Sequence, residues 1–375
     1  MKVLYFTRGY TWHDRQFLEA FCSFHWDLAL LSIYPAASER KRIEVPNKVR
    51  DLGYLDRRGA VDSEHLDGQA GKLVKAISSF YPDIVYAGPI CDCAYLATLQ
   101  RTVPVVACSW GFDILYECKK DKILKARAIA ALTHCRGLVA DCETVWARCK
   151  SMSNFDSPNR AVFPWGIDRS VRRVDSGVRE RMRRDLGWGS AAIALSTRNF
   201  EEIYNLEVLI CGFGIAAEKN TSLRLIMAGG GSKCRQLHDI VRSLGLSPKV
   251  HFAGVLDRQR IEALYRSSDI YVSCALTDGT SVSMLEAMDN RLLPILSNLP
   301  SNREWVRTGS NGWLVRCDDP RSVSASLLEA AGLPEVERRR IISHNLKIVQ
   351  KRANWSTNVL KLKALCYKVA QEFPC

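Results

Sequence analysis

Short apolar, β-rich runs alternate with longer helical patterns along the chain, and this alternation constrains the fold more than any other feature. Strand-like runs fall at 3–7, 28–34, 84–87, 103–108, 137–140 and 161–163, with helical stretches at 15–24, 68–80 and 122–132. Strands that are apolar throughout, not alternately, suit a parallel sheet covered by helices on both faces. The pattern breaks at Pro164-Trp165-Gly166-Ile167-Asp168, and a strongly charged stretch runs on to Arg184. It restarts with strands at 192–197, 223–228, 250–252, 270–274, 293–297 and 313–315, and helices at 206–218, 233–244, 258–266 and 282–288. The chain of 375 residues is too long for one ordinary core, so two successive α/β units joined near 165–185 are expected. In such folds ligands bind beyond the carboxyl ends of the strands.

Composition narrows the class of protein. Hydrophobic content of 47% and charged content of 25% are those of a soluble globular chain. No apolar run approaches the roughly 20 residues of a membrane span. The first apolar stretch, residues 3–6, suits a buried strand better than a signal peptide. The 14 cysteines are scattered, and Cys91-Asp92-Cys93 is too tight for a zinc knuckle, so reduced thiols in a cytoplasmic protein and no metal centre are expected. A net charge of +13 asks for an acidic partner. The basic clusters at 38–42, 169–184 and 337–340 lack interleaved aromatics and any nucleic-acid-binding signature. Phosphorylated small molecules therefore fit better than nucleic acid, and a peripheral place at the inner membrane face stays open.

Residues 273–288, SCALTDGTSVSMLEAM, hold the strongest candidate site. A strand ends near Cys274, a loop of small residues follows, and a helix opens around Ser281. That geometry aims backbone N–H groups and a helix N-terminus at one spot, an anion site. Asp278 precedes the helix and Glu286 lies about two turns into it, so the pair could hold hydroxyls at opposite ends of a phosphate-centred ligand. A plain strand–loop–helix connection with Thr280 or Ser281 as N-cap is the simpler alternative. Gly212-Phe213-Gly214-Ile215-Ala216-Ala217 matches a dinucleotide fingerprint in letters only, because it falls inside a helical pattern instead of opening a helix after a strand.

Two acids with seven residues between them, followed by Ala-Met, resemble the acid-x7-acid motif of retaining glycosyltransferases with the GT-B fold, family 4. Residues 300–305 and 309–315 resemble that family's P-x-x-x-E and G-x-N-G-x-L-V blocks. Residues 225–231, and 250–254 with 263–269, are similar to its preceding strands, 164–168 to its interdomain joint, and 353–356 to the start of its last helix. The resemblance covers roughly residues 190–365 and is weak before them. It implies two Rossmann-like domains facing across a cleft: an acceptor-side domain over 1–165, a donor-binding domain over 166–355, and a crossing helix over 356–375 that packs back on the N-domain.

Carried onto this chain, the resemblance implies that Glu286 holds the nucleotide ribose and Asp278 the donor sugar. The backbone at Gly279, Thr280 and Ser281 would meet the sugar and diphosphate. Val255 and Leu256 would line the base pocket, Arg198 would hold phosphate, and Gly9 would lie in the loop near the diphosphate. The chain also departs from the family. No lysine follows Arg198 within 199–205, leaving Lys233, Arg8 or Arg15 as replacements, and Trp110 stands where a histidine often occurs, which turns attention to Asp113 and to His13. The implied activity is transfer of a sugar, with retention and without a metal or other cofactor, from a nucleotide-diphosphate sugar to a hydroxyl acceptor such as a glycan, a lipid-linked molecule or a small molecule. A sugar-nucleotide epimerase on the same fold and a degenerate sugar-nucleotide- or polyanion-binding protein are the alternatives.

Overall fold

A computed structural model describes residues 1–35, 43–56, 66–153, 155, 157–167 and 177–373. The basic run at 38–42, Asp168 and the first part of 169–184 lie outside the described residues. The chain divides into two compact units, Met1–Pro164 with Ser356–Cys375, and Trp165–Trp355.

The first unit is built on a seven-stranded sheet in the order β3-β2-β1-β4-β5-β6-β7. Its strands are β1 (Lys2–Thr7), β2 (Asp27–Ser32), β3 (Val49–Tyr54), β4 (Ile84–Gly88), β5 (Val105–Cys108), β6 (Gly137–Ala140) and β7 (Arg160–Val162). Every pairing is parallel. β1, β4, β5 and β6 are buried almost end to end, as continuous apolar runs require. β3 has no such run. It is an edge strand whose Arg50 and Asp51 face solvent, and so it carries no apolar signal in the sequence.

Helices α1 (Trp12–Ser23), α2 (Ala70–Phe80), α3 (Lys122–His134) and α4 (Glu143–Ser153) belong to this unit. α1 starts three residues before the pattern suggests, because Thr11 and Asp14 form a capping box. The later helices α5 (Val178–Asp185), α6 (Leu206–Lys219), α7 (Cys234–Ser243), α8 (Arg258–Ser267), α9 (Val282–Asp289), α10 (Pro320–Ala331) and α11 (Glu335–Arg352) lie in the second unit. The last helix, α12 (Trp355–Glu372), returns the chain to the first unit. There Leu365 and Val369 pack on Gly137, and Trp26 Nε1 donates to the Tyr367 hydroxyl at 3.1 Å.

The second unit holds a six-stranded sheet in the order β10-β9-β8-β11-β12-β13. Its strands are β8 (Ala192–Ser196), β9 (Leu223–Ala228), β10 (Val250–Gly254), β11 (Ile270–Ser273), β12 (Leu293–Ser297) and β13 (Trp313–Val315). Apolar cores cover both faces. The dinucleotide-like glycines sit inside α6. A Cβ at Gly212 would lie 2.7 Å from both the Pro320 carbonyl oxygen and Val323 Cβ, so this glycine lets α6 and α10 approach closely.

Two of the described arginines near the joint, Arg179 and Arg183, have structural partners. Arg179 and Arg183 of α5 both pair with Asp269, each at 2.6 Å, and donate to backbone carbonyls around it. In the run at 337–340, Arg340 pairs with Glu337, and Arg339 reaches back to Glu335. The 13 described cysteines are free thiols. Among the described residues, no helix is long and apolar enough to cross a membrane.

Candidate donor site in the second unit

In the second sheet the chain runs outward one way through β9 and β10 and then returns to place β11 on the other side of β8. The β8/β11 boundary is therefore the switch point, where a crevice opens beyond the strand ends. Arg198 leaves β8 there, and residues 274–281 leave β11.

These residues converge. Arg198 Nη2 lies 2.8 Å from Asp278 Oδ2, and its Nη1 donates to Ser281 Oγ at 2.6 Å and Ser283 Oγ at 3.2 Å. The Tyr204 ring lies 4.3 Å from the guanidinium carbon, and the Tyr271 hydroxyl sits 2.7 Å from Ser283 Oγ. Ser281 is the N-cap of α9, accepting from the Met284 amide at 3.3 Å. The N-cap reading and the anion-site reading thus describe the same residue. Burial works against charge on Arg198, but Asp278 more than offsets it and holds the guanidinium protonated. Burial pushes Asp278 above the usual carboxylate range, and Arg198 pulls it partly back.

Glu286 lies farther along α9. Its carboxylate pairs with Arg258, the first residue of α8, and accepts from the Tyr265 hydroxyl. Burial raises its pKa, and Arg258 opposes the rise. Arg258 was not foreseen. Its one signal in the sequence is its position opening the helix after β10, far from the stretch just behind Arg198.

The neighbouring loops explain the other motif residues. A Cβ at Gly229 would lie 2.6 Å from the Arg198 carbonyl oxygen, and one at Gly231 would lie 2.6 Å from that of Phe200, so only glycine lets this loop lie against the turn after β8. Lys233 joins the same turn, its amide donating to the Phe200 carbonyl at 2.8 Å, while its ammonium lies 3.9 Å from Glu207. Val255 is 70% exposed and lies over Gly230, with Leu256 beside it half-buried. Ser301 Oγ donates to the Asp278 carbonyl at 2.7 Å and Trp305 Nε1 to Thr280 Oγ1 at 3.3 Å, so the 300–305 block braces the loop that contains Gly279.

The remaining candidates lie in the first unit. Gly9 follows β1 in the loop before α1. Asp113 is fully buried, accepting from the Ile90 amide and Ser109 Oγ, each at 2.8 Å. In this arrangement its carboxylate ties together the loops after β4 and β5. Arg15 pairs with Glu19, and the His13 ring lies 5.9 Å from Trp110. Arg8 is held by Asp92 and Glu117. Among the described residues, no group of three or more His, Cys, Asp or Glu side chains is placed to hold a metal.

Residues 178–347 match the family described as glycosyl transferases group 1. The putative glycosyltransferase EpsD of Bacillus subtilis is 25% identical over 300 residues, taking in 76% of each chain. Mannosylfructose-phosphate synthase of Agrobacterium fabrum is 31% identical over 136 residues, which are 34% of this chain and 30% of that protein. Among solved structures, Anabaena Alr3699/HepE in complex with UDP and glucose aligns with a TM-score of 0.81 and 14% identity over 98% of this chain and 100% of its own. Sucrose-phosphate synthase from Thermosynechococcus elongatus aligns with a TM-score of 0.82 and 14% identity over 98% and 99%. The chain thus has the two-domain α/β fold of GT-B glycosyltransferase structures, and the match of residues 178–347 to glycosyl transferases group 1, together with relatives named glycosyltransferases, supports an enzyme that transfers sugars.

Proposed function

We propose that the protein is a retaining glycosyltransferase that moves a sugar from a nucleotide-diphosphate sugar to a hydroxyl acceptor without a metal ion. The observation that carries this reading is the Arg198 guanidinium, held between Asp278 and the serines that open α9. As the bond from the anomeric carbon to the phosphate oxygen breaks, negative charge develops on the departing diphosphate. Preorganised donors aimed at such charge are commonly the largest catalytic contribution. Arg198 and the first amides of α9 supply them, and Lys233 adds a second positive charge from the adjoining turn. Asp278 orients the sugar, Glu286 accepts from the ribose hydroxyls, and the edge formed by exposed Val255 and half-buried Leu256 meets the base. The new bond forms from the acceptor oxygen on the face the phosphate leaves, and the acceptor proton passes to the departing phosphate oxygen. Anabaena Alr3699/HepE has been solved with UDP-glucose, which makes a UDP-sugar the first donor to test.

The test has two stages. Melting is followed with UDP-, GDP-, ADP- and TDP-sugars, since a ligand that binds only the folded state raises the midpoint. The donor that gives a shift is then incubated with hydroxyl acceptors, and the anomeric configuration of the product is read by NMR. A retained product, with turnover lost in Arg198→Ala and Glu286→Ala, is expected. Epimerised free nucleotide without transfer, an inverted product, or unchanged turnover in both variants would sink this reading.

A further inference from the structure

The first sheet has its own switch point, between β1 and β4, and an ion cluster stands on it. Arg8 is the residue after β1, Asp92 lies in the helical turn Ile90–Ala94 after β4, and Glu117 ends the turn Asp113–Glu117 after β5. Arg8 Nε donates to Asp92, while Nη1 and Nη2 donate side by side to the two Glu117 oxygens, each at 2.9 Å. The side chains of Arg8, Asp92 and Glu117 remain 23%, 11% and 21% exposed, so the cluster is partly open to solvent. The half-buried Phe112 ring lies 5.4 Å from the guanidinium carbon. The second sheet places Arg198 and Asp278 across its own switch point in the same way.

The chemistry of the cluster is specific. One cation and two anions leave a net charge of −1, which disfavours phosphate or carboxylate. Asp92 Oδ2 and both Glu117 oxygens keep a lone pair beyond their bonds to Arg8, Asp92 Oδ1 accepts from the Cys93 amide at 2.7 Å, and each terminal guanidinium nitrogen keeps a second N–H. The partly exposed cluster therefore offers acceptors and donors together. Vicinal hydroxyls, each able to donate and accept, match that combination, and an aromatic ring beside them offers a flat surface to a sugar's C–H face. A partly buried ion cluster contributes little net stability compared with apolar side chains of the same volume.

We propose that the Arg8–Asp92–Glu117 cluster is an acceptor subsite that reads adjacent hydroxyls of an uncharged saccharide and discriminates against sugars phosphorylated at that end. This rests on the glycosyl-transfer reading for the word acceptor, but binding can be tested without turnover. The full-length protein is titrated with methyl glycosides of glucose, galactose, mannose and N-acetylglucosamine, and with glucose 6-phosphate and mannose 6-phosphate, followed by saturation-transfer NMR. At least one neutral glycoside should bind ten-fold or more tightly than either sugar phosphate. Glu117→Gln and Asp92→Asn should each weaken that binding five-fold or more and narrow the discrimination, leaving the nucleotide-sugar melting shift unchanged. Equal or tighter binding of the phosphates, no binding of any neutral glycoside, or unchanged affinity in both variants would overturn the proposal. Failure of the glycosyl-transfer reading would appear separately, as a missing nucleotide-sugar shift in the unmutated protein.

Discussion

Removing Arg198 separates two roles that its contacts combine. Arg198→Ala deletes the 2.8 Å pair with Asp278 and the two bonds to Ser281 and Ser283. Asp278 then stays buried as an unpaired carboxylate, and breaking a buried pair in this way costs about 3–5 kcal/mol. For a domain of roughly 150–250 residues that corresponds to a fall of roughly 10 °C in the melting midpoint. The loss depends on pH, with a definite sign. Burial already raises the Asp278 pKa, and without Arg198 only the Gly279 amide opposes the rise, so the folded variant binds more protons than the unfolded chain. Its stability must therefore fall as pH rises, by about 1.4 kcal/mol per unit until the group is ionised. Calorimetry at pH 5.5 and pH 8 should show the larger deficit at pH 8. Turnover with the donor identified by melting should drop by about 10²–10³ if the guanidinium stabilises the departing diphosphate. Adding Asp278→Asn removes the stranded charge and should restore most of the midpoint without restoring turnover. If turnover returned together with stability, Arg198 would be only a counterion for Asp278, and the catalytic assignment would be wrong.

Arg258, the partner of Glu286, makes a different prediction. Arg258→Ala takes from Glu286 the partner that opposes its raised pKa, so the donor KM should rise several-fold at pH 6 and much less at pH 8; an equal change at both pH values would argue against it. In the first unit, burial pushes Asp14 and Asp113 up from 3.8 to about 6. The folded state therefore holds more protons between these values, and the stability each carboxyl contributes below pH 4 is lost as pH rises through 6. The difference between the unmutated protein and Asp113→Asn should shift by about 2 kcal/mol between pH 4 and pH 7, read by denaturant titration, and a constant difference would show that Asp113 does not titrate in this range. Leu362, fully buried on α12, should cost about 2–5 kcal/mol as Leu362→Ala, while the nucleotide-sugar melting shift is unaffected because the donor residues lie in the other unit.

The runs 137–140, 223–228, 293–297 and 313–315 were legible as strands because a strand covered on both faces must be apolar throughout, a local property of the chain. Edge strand β3 was not legible, because half its residues meet water. Asp278, Ser281 and Arg198 could be singled out from a strand–loop–helix pattern and a family resemblance, since each stands at a fixed offset from a strand end. Arg258 could not, because its partner lies 28 residues away on another helix. The Arg8–Asp92–Glu117 cluster spans three separate strand ends, and no spacing in the sequence announces it. Local pattern by itself determined the elements, their alternation and the acid-bearing loop, because backbone propensity and burial act over a few residues. Which charges meet was decided only by the order of strands in each sheet, because that order brings chain ends far apart in sequence to one edge.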